Sequence, residues 1–157
     1  MKIIKSFFLL LIMLGGWINL RAEETSKRDK AINELYEIIQ NVNTYWQANN
    51  PEHGRSFWDN AAYHTGNMEV YMLTKDSNSL KYTKDWAQYN EWKGAKSDDR
   101  ANWKYSYGES DDYVLFGDYQ ICFQVYADLY NIEPDPQKIA RAREVMEYQM
   151  STPANDY

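Results

Sequence analysis

The side chain most open to a chemical role is the carboxylate of Asp118, because of the segment that follows it. Residues 118–130 read as a helix that is apolar almost all round, with Gln120, Gln124 and Asp128 as its one polar stripe. A helix with so narrow a wet face is buried on most sides. A carboxylate in its first turn therefore sits at the mouth of a core, within reach of a ligand. The same position suits a plain N-cap, where an Asp side chain accepts from free backbone N–H groups. Both readings stand on position alone.

The elements that must place Asp118 follow from hydrophobic periodicity. Helices are expected at 26–47, 58–73, 79–92, 118–130 and 136–150. The first has Ile32, Leu35, Ile39, Val42 and Trp46 on one face and starts at Ser26 with Asp29 in a capping-box arrangement. The second is apolar on most sides and carries Gly66, an interior glycine of the kind that marks a close helix contact. The third sets Tyr82, Trp86 and Tyr89 opposite Lys81, Lys84 and Glu91. The fifth starts at Pro136 and shows Ile139, Ala142, Val145 and Met146 as a stripe. No stretch alternates with period two over a useful length.

Amphipathic and buried helices thus alternate, which is the pattern of an outer and an inner layer. The pair Val70-Tyr71 recurs as Val125-Tyr126, a weak repeat in keeping with two such hairpins. With strict alternation the inner helices all run one way, so Trp58-Asp59-Asn60 and Asp118 open on the same end. The long connection 93–117 feeds into that end. It carries Trp103, Tyr105 and Tyr107 among charged residues, and a loop of that length suggests a lid. Exposed rings there would offer platforms for the apolar faces of sugars.

Composition narrows the function classes. Residues 1–22 read as an export signal, with Lys2 and Lys5 ahead of a short apolar run and Leu20-Arg21-Ala22 before a cut. The run breaks at Gly15-Gly16 and Asn19, too early for a membrane span. Its removal takes away three bases (Lys2, Lys5, Arg21) and no acid, moving the net charge from −6 to −9. Nucleic acid is then a poor partner, for want of a basic stripe, and no membrane contact is expected once the signal is gone. Cys122 is the single cysteine and lies in a buried helix, so no disulfide framework is expected. With only His53 and His64 beside it, no metal site and no cofactor is expected.

The segments FWDNAAYHTG (57–66), Thr74 to Asp76 with Tyr82 and Trp86, and GDYQICFQVYADLY (117–130) occur in an order and at gaps that resemble the family 105 glycoside hydrolases. Those are unsaturated rhamnogalacturonyl hydrolases, related to the family 88 unsaturated glucuronyl hydrolases. The resemblance covers roughly residues 30–157. It implies an all-α (α/α)6 barrel and an enzyme that hydrates the C4–C5 double bond of a terminal unsaturated uronic acid left by polysaccharide lyases. An acidic side chain protonates C4, water adds at C5, and the hemiketal opens to release the sugar. On this resemblance Trp58 packs against the uronate and Asp118 is the family's first site aspartate, which contacts substrate and orients the reacting groups.

Two departures bear on the site. Many relatives have Arg at the position of Asn60, so carboxylate recognition is expected to involve other groups, with His64 as one candidate and packed polar residue as its other reading. Phe123 stands where relatives often have glycine. A larger departure is the end of the chain. A full barrel has twelve helices against the five read here, and in relatives a segment like Asn155-Asp156-Tyr157 leads into a Trp-rich stretch that holds the catalytic acid. The expectation is therefore an incomplete (α/α)6 barrel, 23–157, from an exported hydrolase (periplasmic or extracellular), truncated before its acid and binding an unsaturated-uronide oligosaccharide without turnover. The alternative is a complete exported helical module for carbohydrate or protein binding.

Overall fold

A computed structural model describes residues 2–51 and 53–152, with only the helical backbone described for 2–22. It contains α1 (Lys2–Asn49), α2 (Trp58–Thr74), α3 (Ser77–Tyr89), α4 (Cys122–Ile132) and α5 (Gln137–Ser151), with short 3-10 turns at Arg100–Asn102 and Gly117–Tyr119. No strand occurs among the described residues. The protein is all-α, as periodicity predicts. The export reading of 1–22 rests on side chains outside the described residues, as does the tail 153–157 with Asp156. Among the described residues no helix is long and apolar enough to cross a membrane.

The chain divides into Met1–Val42 and Asn43–Tyr157. The first unit is one helical stretch. It does not start at Ser26: the helix runs through that position from Lys2, so no capping box forms. Ile32, Leu35 and Val42 are exposed on it rather than gathered on a buried face.

In the second unit α2 and α4 pack side by side, α3 packs on α2 and α5 packs on α4. This is the layering expected of an (α/α)6 barrel, with α2 and α4 inner and α3 and α5 outer. The core between α2, α3 and α4 is built from Ala61, Met68, Trp86, Ala87, Cys122, Val125, Tyr126 and Leu129. Those from α2 and α4 recur at helical spacing on the face turned toward the partner helices. A second core of Phe57, Ala95, Trp103, Val114, Leu115, Tyr119 and Val145 lies beneath the long connection. Trp103 is therefore buried, not a loop platform. Its indole N–H donates to Ser97 O at 2.9 Å and its ring lies 4.9 Å from the Arg141 guanidinium.

Several local expectations give way to packing. Gly66 is exposed, and a Cβ there would meet nothing within 4 Å, so it marks no close contact in this chain. Tyr89 is 58% exposed, leaving Trp86 and the half-buried Tyr82 to hold α3. On α5 Met146 is exposed, whereas Lys138 and Arg141 are buried. Lys138 Nζ donates to Leu129 O at 3.3 Å, which also accepts the Glu133 N–H, and to the C-cap carbonyl Glu133 O at 2.7 Å. Asp76 caps α3 by accepting from Asn78 N, Ser79 N and the Ser79 hydroxyl, which holds its carboxyl below the usual range.

Candidate functional site

The structure moves the start of the Asp118 helix. Gly117–Tyr119 is a separate 3-10 turn, and α4 starts only at Cys122, with Ile121 as its N-cap residue. Asp118 is thus half-buried in the middle of a short turn, and the N-cap of that turn is Phe116. Its carboxylate has no hydrogen-bond or ion-pair partner among the described residues, and it caps neither element. The dipole of a long helix does not come with this position either.

The Phe57–Tyr119 contact joins this turn to the start of α2, while Tyr126 and Gly94 hold the segments around it. The Phe57 and Tyr119 rings meet edge to face with centroids 4.8 Å apart. Ser56 Oγ and Tyr126 Oη lie 3.1 Å apart, and Tyr126 Oη donates to Lys93 O at 2.9 Å. Gly94 makes the approach possible: a Cβ there would fall 1.9 Å from Tyr119 O and 2.9 Å from its carbonyl carbon. Because Phe57 adjoins Trp58 and Tyr119 adjoins Asp118, these contacts place both predicted site residues on the same end of the helical layers. That was the decisive geometric expectation of the alternation.

Trp58 opens α2 with half of its surface exposed (50%), a large apolar ring left in solvent at the mouth. Phe57, its N-cap, offers no side-chain hydrogen bond. Asn60 is half-buried: its backbone N–H donates to Asp59 Oδ1 at 2.8 Å, and its amide packs so closely on Gly54 that a Cβ there would lie 2.6 Å from Nδ2. Gly54 is thus a requirement for Asn60 to lie where it does.

His64 is placed elsewhere. It is buried, with its ring 4.0 Å from Trp86 and 5.5 Å from Tyr82, both on α3, and Nδ1 is 3.0 Å from Thr83 Oγ1. Burial first, and then the His53 charge, lowers its pKa to about 3, so the ring is neutral at physiological pH. The surroundings are those of a packed polar residue in the α2–α3 seam, away from the mouth that Trp58, Asn60 and Asp118 share.

Sequence reasoning missed two charged residues and gave a third residue too general a role. The Arg55 guanidinium carbon lies 4.3 Å from the Phe57 ring centroid, and its Nη2 is 3.8 Å from Glu109 Oε1. Tyr107, from the tip of the long connection, is 68% exposed and stands at 90° to Phe116 with centroids 5.6 Å apart. All three surround Tyr119: burial raises its phenol pKa most, Arg55 lowers it, and Glu109, Asp111 and Tyr107 raise it. Isolated surface charges carry no periodicity, so nothing in the sequence marked Arg55 and Glu109 as neighbours.

The buried Cys122 donates from Sγ to Tyr119 O at 3.2 Å, and burial pushes its thiol up to about 12, so it is an inert core residue. Among the described residues no group of His, Cys, Asp and Glu is arranged to hold a metal ion.

The mouth therefore combines an exposed indole, a second exposed ring, a cation and an unpaired carboxylate. Rings bind the apolar faces of sugars, and the charged groups match hydroxyls and acidic substituents. Known proteins that resemble this chain carry names of carbohydrate-active enzymes. A solved structure named as a polysaccharide lyase is 77% identical, with a TM-score of 0.77 over 79% of this chain and 35% of its own. A structure named as a glycosyl hydrolase of family 88 from Bacteroides vulgatus is 62% identical, with a TM-score of 0.77 over 80% of this chain and 36% of its own. The chain thus spans about a third of the length of these solved relatives. A search of curated proteins gave no match. The model of Glycosyl Hydrolase Family 88 matches residues 30–156, and the chain belongs to that family.

Proposed function

We propose that this chain supplies the first wall of the substrate site in an exported hydrolase that hydrates terminal unsaturated uronic acids. The preferred substrates are pectin-type oligosaccharides of the rhamnogalacturonan kind, as in family 105. One observation carries the reading: Trp58, which opens α2, and Asp118, in the turn that leads into α4, lie on one end of the inner helices through the Phe57–Tyr119 contact. Trp58 packs against the flat, partly unsaturated ring. Asn60 hydrogen-bonds a ring substituent. Asp118 accepts from a sugar hydroxyl and orients the reacting carbons, so it is an anchor rather than the proton donor.

The 77% identical relative is named as a lyase, and that supports a second reading, in which the whole protein is a lyase too. The two reactions are inverse in their optical signature. Elimination from an intact uronide creates the conjugated acid and its ultraviolet band, whereas hydration consumes it. The test is to titrate the chain with a disaccharide bearing a terminal unsaturated uronic acid, and to follow that band. Saturable binding, weakened about thirtyfold in Trp58→Ala, is expected. Steady loss of the band that Asp118→Asn abolishes would make Asp118 the proton donor and overturn its assigned role. A rise of the band with a saturated polyuronide would favour the lyase.

A further inference from the structure

Arg55 is the cation of the mouth with the least committed partner. Its one ion-pair contact, to Glu109, spans 3.8 Å, beyond hydrogen-bonding range, with side-chain exposures of 46% and 64%. Arg100, by contrast, puts Nε and Nη2 on Glu144 Oε1 at 3.1 and 2.7 Å, and the buried Arg141 holds Glu144 at 2.8 Å. An exposed pair as loose as Arg55–Glu109 adds little to folding and is cheaply exchanged. The guanidinium is nevertheless held in place: it lies over the Phe57 ring, which is buried and fixed by Tyr119. Its planar fork is therefore held over the ring of the α2 N-cap residue, within electrostatic reach of Tyr119, with donors to spare. Asn60 is neutral and His64 is sealed in the α2–α3 seam, so neither offers a positive charge there.

We propose that Arg55 recognises the carboxylate of the uronic acid, and that Glu109 is the internal carboxylate which the sugar's own acid displaces. This rests on the reading of the mouth as a uronide site. Displacement costs the 105–110 tip only this loose tie, because Tyr107 stays against Phe116 and Tyr105 Oη stays on Thr152 O.

The experiment titrates the full chain with an unsaturated-uronide disaccharide and, separately, with its methyl ester, by tryptophan fluorescence. Arg55→Gln is expected to weaken binding of the acid about tenfold or more and to leave the ester unchanged. Glu109→Gln, which removes the competitor, is expected to tighten the acid by a few fold. Equal weakening of acid and ester by Arg55→Gln overturns the Arg55 assignment but leaves the uronide site standing. Weakening of the acid by Glu109→Gln overturns the displacement. If the unaltered chain binds neither compound, the uronide site itself is wrong, and this inference with it.

Discussion

Between α2 and α3 the side chain of Asn67 uses its full hydrogen-bonding capacity. Its Oδ1 accepts from Asn43 Nδ2 at 2.7 Å and Gln47 Nε2 at 3.2 Å, while its Nδ2 donates to Ser79 O and Thr83 Oγ1, both at 2.7 Å. Thr83 Oγ1, already an acceptor from Asn67, also lies 3.0 Å from His64 Nδ1 and so carries the network on to the buried ring. At the N-terminal end of the same α2, Trp58 is half in solvent and Asn60 bonds only its neighbour Asp59. Asp118 beside them has no partner among the described residues. Two polar clusters on one helix thus differ in completeness. A saturated buried cluster specifies packing, because an unpaired group there is costly. An unsaturated half-exposed cluster has capacity left for something else.

The largest effect should come from breaking the saturated cluster. Asn67→Ala strands donors and acceptors on α1, α3 and the Thr83 hydroxyl, and a loss of about 4 kcal/mol is expected from four hydrogen bonds at roughly 1 kcal/mol each. Chemical denaturation reads it. A loss under about 1 kcal/mol would show that the network is ornamental.

The close approach of Gly94 to the 117–119 turn comes next. Gly94→Ala forces a Cβ against the Tyr119 carbonyl, and a cost of about 3 kcal/mol is expected. Because Tyr119 moves, sugar binding should fall with it. Unchanged stability would mean that the 94–119 approach is loose.

Trp58→Ala should leave the melting temperature nearly unchanged yet weaken disaccharide binding by about 2 kcal/mol, roughly thirtyfold. Equal losses of both would return Trp58 to the core.

His64 sharpens the contrast through pH. Its folded pKa of about 3 lies below the ordinary value of 6.5, so the unfolded chain binds a proton that the folded chain refuses. Stability from this group is complete above about pH 6.5 and drains away as pH falls toward 3, at up to about 1.4 kcal/mol per pH unit. His64→Gln should flatten that slope between pH 6.5 and 4.5. A slope unchanged by the substitution would put His64 in water.

Helix number and order were legible because apolar residues recur at helical spacing on α2 to α5, and the inner pair was marked by the poverty of its polar stripe. The start of α4 was not, since nothing in the sequence of 117–121 distinguishes a 3-10 turn from a first α-turn. The burial of Lys138 and Arg141 left no mark in the sequence: Lys138 meets Leu129 and Glu133 across the α4–α5 turn, and Arg141 meets carbonyls of the distant 95–97 segment. Met68 and Met72 lie one turn apart on α2, yet Met68 is buried against Trp86 while Met72 is exposed, as is Ile121. At about 25 cal/mol per Å² of apolar surface left wet, such side chains lower the stability of the isolated chain, and a low, broad thermal transition is the expected consequence. Trp58 and Asn60 were legible as the start of α2, whereas Asp118 proved to sit in a 3-10 turn ahead of α4. Arg55 and Glu109 escaped because they meet only through the fold.

If the mouth is unsaturated because it binds a sugar acid, the unpartnered carboxylate of Asp118 is the group whose loss should show it. The measurement is a paired one on the unaltered chain and Asp118→Asn: binding of the unsaturated-uronide disaccharide and stability to denaturant. The account predicts saturable binding that weakens about tenfold or more in the variant, with stability within about 0.5 kcal/mol of the original. Unchanged binding together with a large loss of stability would make Asp118 a structural residue and contradict the account.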